Sequence, residues 1–404
     1  MSHDAFRSGP LRVALVHSFY ASTSPSGENQ AVLDHARALR QAGHTVSTVD
    51  AHTDELQGRP LYTARAGLTV ATGRGRSPLA ALQRIRPDVV HVHNLFPNFG
   101  RSWLRYWRGP LVATLHNYRP LCAAATLYRD GAACTRCPDG DRWAGVRHGC
   151  YRGSGLATLP LAVAGRRGAT GDPLLLRADR IAVLCSLSRD LYLGAGVPAD
   201  RVALVPNFVS APRGSSRAAP DDARWVYVGR LSAEKGVLEL LNRWPDGEPL
   251  DVIGDGDLLQ ACRQAAPSSV RFLGGIAREE LRRRLPSWTG LVFPSRCFEG
   301  APLVYLEALA AGLPVLAWAG SSVSQAVQEQ GTGLVVQPDL PLAPVLAHAR
   351  LTLPALRQRC QQVYEAEYSE EKWLVRIRRL YDDAARHRAA RPRTGPGVSA
   401  GAGA

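Results

Sequence analysis

Lysine is nearly missing from this sequence: of 49 basic side chains in 404 residues only Lys235 and Lys372 are lysines, and the rest are arginine. A bias of this kind is compatible with a GC-rich genome, and it singles out Lys235. Long apolar runs are missing too. No stretch supplies the roughly 18 uninterrupted apolar residues a membrane-spanning helix needs, and the nearest, residues 301–320, is broken by Glu307 and two prolines. The N-terminus has no charged start, apolar run and small-residue cleavage site, so a secretory signal is not expected. These absences argue against a membrane-spanning or exported chain and place the expected location in the cytoplasm. Closely interleaved basic and aromatic runs and recognisable DNA- or RNA-binding modules are also absent, which argues against a dedicated nucleic-acid binder. What is present is the composition of a globular protein: 45% hydrophobic and 21% charged residues exclude a disordered or fibrous chain. At roughly 100 to 200 residues per domain, two or three domains are expected.

The formal charge of +14 is unevenly spread. Residues 1–210 carry 25 basic and 14 acidic side chains, whereas residues 211–385 carry 20 and 21. A basic N-terminal half attracts nucleic acid, anionic headgroups or phosphorylated small molecules, or is simply a solvated surface. The apolar segment 156–164 runs into Arg166 and Arg167. It reads first as an ordinary buried helix and second as a contact with the inner face of a membrane.

Short β-branched runs alternate with helical patterns. In the first half the strands are expected at 11–17, 45–49, 88–93, 111–116, 180–184 and 202–206, with a helix opening at Gly27. The composition then turns to Ser, Pro, Ala and Arg. Beyond it, runs at 224–228, 250–253, 270–273, 290–293, 313–317 and 333–336 repeat the pattern, and 373–385 reads as a last amphipathic helix. The expected fold class is therefore α/β. An N-terminal domain spans 1–207, a linker 208–222, a second domain 223–385, and a disordered tail 386–404. Two parallel sheets of this kind leave a cleft at their carboxyl ends, where such folds take ligands.

The most informative segment runs from Phe293 to Val315. It holds Glu299 in a Gly- and Pro-containing loop and Glu307 about one turn into the following helix, beside a helix start that suits an anion. On spacing alone these glutamates suit surface positions around an ordinary helix start better than a ligand site. A second element, Val228-Gly229-Arg230-Leu231 through Lys235-Gly236, follows a strand and offers one planar and one point cation to a diphosphate. Gly254-Asp255-Gly256 adds a tight turn.

Together with Phe293-Pro294-Ser295 and Glu307-Ala308-Leu309-Ala310-Ala311-Gly312-Leu313-Pro314-Val315, these motifs resemble the retaining nucleotide-sugar-dependent glycosyltransferases with two Rossmann-like domains, the glycogen-synthase-like and mannosyltransferase-like family of GT-B fold. The resemblance covers about residues 11–385. It implies a last helix that crosses back to the first domain, an N-terminal acceptor domain and a C-terminal donor domain. It further implies that Glu299 and His116 are the catalytic positions contacting the transferred sugar, and that Arg230 and Lys235 hold the donor diphosphate. Glu307 would bind the ribose, Gly229, Gly254, Gly300 and Leu303 would line the donor site, and Gly27 and Glu28 would form an acceptor or phosphate loop. Two departures are Ser26, where that loop has a glycine, and Ala301-Pro302, where an aromatic residue and glycine are frequent.

The implied reaction moves a hexose-type sugar from a UDP- or GDP-sugar to an acceptor, in polysaccharide, glycolipid or specialised-metabolite assembly. The acceptor would be lipid-linked or an anionic small molecule. Catalysis would need no metal cofactor, since Arg230, Lys235 and a helix dipole neutralise the diphosphate. The rival readings are an epimerase or phosphorylase of the same fold and, behind it, a basic protein binding nucleic acid or an anionic surface.

Four of the eight cysteines, Cys122, Cys134, Cys137 and Cys150, fall in one Gly- and Arg-rich stretch, 122–150. In a reducing compartment this spacing suits a structural zinc, with His148 as a substitute ligand. An iron–sulfur cluster and unliganded thiols are the alternatives.

Overall fold

The computed structural model describes residues 9–20, 26–210 and 223–390. In the first domain the short apolar runs become six parallel strands: β1 (Arg12–Phe19), β2 (Thr45–His52), β3 (Val89–Asn94), β4 (Leu111–Leu115), β5 (Arg180–Val183) and β6 (Val202–Leu204). They lie in the order β2-β1-β3-β4-β5-β6, with Val13 opposite both Val46 and Val89. Val13, Ala14, Leu15 and Val16 are all buried, as expected of a parallel strand covered on both faces.

The second domain repeats the plan with β7 (Trp225–Val228), β8 (Leu250–Ile253), β9 (Val270–Gly274), β10 (Leu291–Phe293), β11 (Val315–Trp318) and β12 (Gly333–Val336). Their order is β9-β8-β7-β10-β11-β12, and every pairing is parallel. The chain order reverses between β1 and β3 in one sheet and between β7 and β10 in the other. Loops leaving the sheets at these points open a crevice for a ligand.

Six helices matter below: α1 (Gly27–Gln41), α2 (Tyr62–Thr72), α3 (Gly155–Gly165), α4 (Arg278–Arg284), α5 (Leu303–Ala310) and α6 (Glu370–Ala390). Trp373, Ile377, Leu380, Tyr381 and Ala384 form one stripe of α6 at helical spacing. They are buried with Leu11, Val13, Leu15 and Leu39, so the C-terminal helix packs on the N-terminal sheet. His91 Nδ1 and the Tyr381 hydroxyl share a 2.9 Å hydrogen bond across 290 positions of sequence.

Three expectations need adjustment. The final helix continues to Ala390, so residues 386–390 are helical, and the rest of the expected tail lies outside the described residues. The expected linker lies outside them from residue 211 onward. The segment 156–164 is not an ordinary buried helix: α3 buries only Thr158, Leu161 and Ala162 and lies on the surface. Its sequence is apolar on every side, so periodicity could not say which face turns inward. Among the described residues no helix is long and apolar enough to cross a membrane.

Candidate active site

A cavity of about 260 Å³ lies between the carboxyl ends of the two sheets. From the first domain come Gly27 and Glu28 at the start of α1 and His116 just beyond β4. From the second come Arg230 and Lys235 beyond β7, with Glu299, Gly300 and Leu303 leading into α5. These eight positions are separated by up to 276 residues of chain, and the sheet ends gather them. Gly229 and Gly254 stand behind the wall. Gly254 has φ +136°, and a Cβ there would sit 1.9 Å from the Gly229 carbonyl oxygen, so these two turns stack only without side chains. Gly236 ends the Lys235 turn at φ +67°, with the Pro294 carbonyl 2.1 Å from where its Cβ would be. This contact ties the Lys235 loop to the loop that carries Glu299.

Lys235 Nζ lies 2.7 Å from Glu299 Oε2, and Ser295 Oγ donates to Glu299 Oε1 at 2.5 Å. Burial by itself pulls the Lys235 pKa down, but Glu299 and then Cys297 more than reverse this and the ammonium is held above its ordinary value. The two residues assigned separate tasks by resemblance, diphosphate and sugar, are thus one ion pair in the ligand-free protein. Arg230 is different. Its side chain is 67% exposed and pairs at 3.1 Å with Glu234, which leaves a solvated cation at the mouth of the cleft.

Glu307 departs most from expectation. It is buried outside this cavity, and its Oε1 accepts from Arg278 Nε at 2.5 Å and Arg282 Nε at 3.1 Å, both on α4. Arg278 Nη1 also donates to Asp34 Oδ2 on α1 at 2.6 Å, which joins the two domains. A ribose contact through Oε1 therefore requires that these arginines give way. The spacing of Glu299 and Glu307 carried no sign of α4, which is contributed by residues some 25 positions upstream.

His116 Nε2 and His93 Nδ1 share a 2.9 Å hydrogen bond. Burial, followed by the neighbouring His17 and His91, pulls the His116 pKa down to about 3, so the ring is neutral at physiological pH. His116 belongs to a cluster that the sequence reading missed: ring centroids of His91 and His93 are 4.1 Å apart, those of His35 and His93 5.4 Å, and those of His17 and His93 6.3 Å. The available signal was the placing of His17, His91 and His93 within apolar strand runs, with His116 just past another and His35 in α1.

Glu28 reaches the cleft from the first turn of α1. Asn117 Nδ2 donates to its Oε2 at 2.9 Å, and Oε1 has no partner among the described residues. Burial pushes the Glu28 carboxyl above its ordinary value. Ser26 does not strain the loop: it has extended backbone angles and N-caps α1, with its hydroxyl accepting from the Asn29 amide. The donor half also contains one Asp-x-Asp spacing, Asp255-Gly256-Asp257. It forms the turn after β8, where Asp255 accepts from the Gly256 amide at 2.7 Å, and it does not line the cleft.

Cys122, Cys134, Cys137, Cys150 and His148 surround one small cavity. The thiols of Cys137 and Cys150 are raised above their ordinary value by burial and then by neighbouring cysteines. As the side chains stand, no three His, Cys, Asp or Glu residues among those described are gathered closely enough to hold a metal ion. The loop also touches the donor side, where the Tyr128 hydroxyl donates to the Ala233 carbonyl at 3.3 Å.

Two Rossmann-like domains facing a cleft, with cations beyond the first strand of one domain and carboxylates on both walls, define the class of two-domain GT-B proteins. Residues 25–213 match the family described as Glycosyltransferase Family 4, and residues 222–352 match Glycosyl transferases group 1. On these matches, which between them take in most of the sequence, the chain belongs to the GT-B glycosyltransferases. A GDP-mannose-dependent alpha-(1-6)-phosphatidylinositol monomannoside mannosyltransferase of Mycobacterium tuberculosis is 32% identical over 162 residues, 36% of this chain and 42% of that one. The match therefore spans less than half the length of that relative. Sucrose-phosphate synthase from Thermosynechococcus elongatus superposes with a TM-score of 0.63 at 21% identity, over 92% of this chain and 98% of that one. HepE of Anabaena in complex with UDP and glucose gives 0.55 at 15% identity, over 91% and 98%. These two likenesses establish the fold.

Proposed function

We propose that the protein transfers a hexose-type sugar from a UDP- or GDP-sugar to an acceptor hydroxyl, with retention of configuration and without a catalytic metal. The observation that carries this is the single cleft holding Arg230 and the Lys235–Glu299 pair on one side and Glu28 and His116 on the other. Arg230 and Lys235 neutralise the diphosphate, and Glu299 and neutral His116 hold the sugar. The bond between the anomeric carbon and the diphosphate oxygen breaks, the acceptor oxygen bonds to the same face, and the acceptor proton passes to the departing diphosphate. The protein supplies position and charge, and no nucleophile of its own. A HepE structure holds UDP and the mycobacterial relative is named for GDP-mannose, which puts UDP and GDP first in the test. The same relative's name places phosphatidylinositol monomannoside as its acceptor, in keeping with assembly of a glycolipid or polysaccharide at the inner membrane face by a cytoplasmic enzyme.

The test is thermal unfolding of the purified protein against UDP, GDP, ADP, CDP and dTDP. A nucleotide at 100 times its dissociation constant adds about 2.7 kcal/mol. A clear rise in Tm with UDP or GDP is expected, and no rise with any of the five would overturn the reading.

The four cysteines around one cavity are assigned to a structural zinc on the same footing, with the thiols rotating inward to complete a four-ligand shell. The segment they occupy has little regular structure of its own, only a two-residue hairpin and a four-residue helix, so a cross-link has much to hold. Purified protein is expected to contain about one zinc per chain, and Cys134→Ser to lose it together with several degrees of Tm. A metal-free wild type as stable as the zinc-loaded protein would remove this assignment.

A further inference from the structure

The first domain contains a second, larger cavity that the donor chemistry does not use. It is a groove of about 600 Å³ between α2 and α3, walled mainly by apolar groups such as Leu68, Val70, Phe96, Leu159 and Leu161. Three leucines that line it are strongly exposed, Leu156 at 84%, Leu68 at 65% and Leu159 at 41%, and Leu61, 72% exposed, adjoins the lining residue Tyr62. No residue of α2 is fully buried, and Gly67 of α2 lies against Pro160 of α3, so the two helices touch each other while leaving the groove open. Isolated exposed leucines need no explanation, but three lining one groove mark an apolar ligand or surface.

The groove leads toward the active site. A smaller cavity of about 100 Å³ shares Val70, Phe96 and Leu161 with it, and shares His116 and Asn117 with the catalytic cleft. Arg119 stands at this junction. Its guanidinium lies 4.2 Å from the centre of the Phe96 ring and 5.5 Å from that of Tyr151, and its buried Nε has no hydrogen-bond partner among the described residues. The outer surface matches an anionic head: residues 56–87 and 142–171 contain no Asp or Glu, and Arg59, Arg65, Arg152, Arg166 and Arg167 on them are exposed.

We propose that the α2–α3 groove holds the hydrocarbon chain of an amphiphilic acceptor, whose phosphate meets Arg119 at the junction and whose hydroxyl enters the cleft at His116. This rests on the glycosyltransferase reading and narrows its acceptor to phosphate-bearing lipids. The order of the three cavities sets the order of the acceptor's parts: tail outermost, anionic linkage in the middle, reacting hydroxyl beside Glu299 and Lys235.

The test uses monomeric alkyl phosphates of 8, 10 and 12 carbons as probes, titrated below their micelle concentrations into the full chain. Inorganic phosphate and dodecyl maltoside serve as controls. Affinity is expected to rise with each methylene, by at most about fourfold, and to exceed that of dodecyl maltoside. Leu68→Glu with Leu159→Glu, both at exposed positions, is expected to weaken dodecyl phosphate binding at least about tenfold. Arg119→Ala is expected to abolish the preference for phosphate over maltoside while keeping the chain-length dependence. Unchanged binding in the double variant, or affinity independent of chain length, overturns the proposal. So does a double variant that loses binding to phosphatidylglycerol vesicles but keeps dodecyl phosphate, because the leucines would then meet a membrane surface and not a single chain. Nucleoside diphosphate binding is measured on the same samples. Its absence in the wild type would sink the parent reading whatever the alkyl phosphates do, and its retention in the double variant shows that the fold is intact.

Discussion

Glu299→Ala is expected to lower turnover by about 10²- to 10³-fold while nucleoside diphosphate affinity stays within about threefold of wild type. The reason is the ion pair. With the carboxylate gone, Lys235 is left as a half-buried cation without its 2.7 Å partner, and a bound diphosphate is the natural replacement. Nucleotide binding is therefore preserved while the contact to the sugar is lost. The reverse substitution behaves differently: Lys235→Ala leaves Glu299 negative beside the diphosphate site, and with Arg230→Ala the two cations facing the donor are removed together. On the order of 100-fold weaker nucleoside diphosphate binding is expected of that double variant. Calorimetry with the nucleotide and steady-state turnover with the full donor separate the two quantities. Equal losses of binding and turnover in Glu299→Ala would contradict the assigned roles.

The second large effect is on stability in mild acid. His17, His35, His91 and His93 are buried and His116 is half-buried at the cleft, and desolvation holds each pKa below the ordinary value of 6.5, to about 4 for His17 and about 3 for His116. In the unfolded chain these rings take up protons as the pH falls through about 6.5. The folded rings do not. Between pH 6.5 and about 4 the unfolded state therefore binds more protons, and stability falls with decreasing pH by about 1.4 kcal/mol per unit for each such histidine. Their contribution is fully present above pH 6.5 and is lost as the pH drops toward the folded-state values. Tm is expected to be nearly level from pH 8 to 7 and to fall steeply from 6.5 to 4.5, before most carboxylates protonate. His17→Asn should flatten part of that slope, and a level Tm across the window would show that these rings are not held neutral by the fold.

The histidine cluster, the Lys235–Glu299 pair and the Glu307 network share a reason for having been hard to read. Each joins residues brought together by the sheets and not by the local period of the chain. Glu307 is the clearest case: its position in α5 was evident, but its partners come from α4 and, through Arg278, from Asp34 in the other domain. The glutamate spacing was common to a ribose ligand and to an anchor for the α4 arginines, and only packing distinguishes them. Helix α3 shows the same limit for hydrophobicity, since Leu156 and Leu161 are equivalent in sequence, yet one is exposed and the other buried.

What the sequence determined by itself was the strand and helix order. Twelve short apolar runs separated by helical patterns and turn glycines permit little other than two parallel sheets, because strands buried on both faces and right-handed crossovers are local and chiral constraints. It also determined which loops meet at the cleft, since those loops leave the carboxyl ends of strands. What only the tertiary structure decided was which charges neutralise one another there, which rings lose their water, and which apolar face stays open. These depend on distances between residues remote in the chain, and the energy of a charge, a proton or a methylene is set by its surroundings and not by its neighbours in sequence.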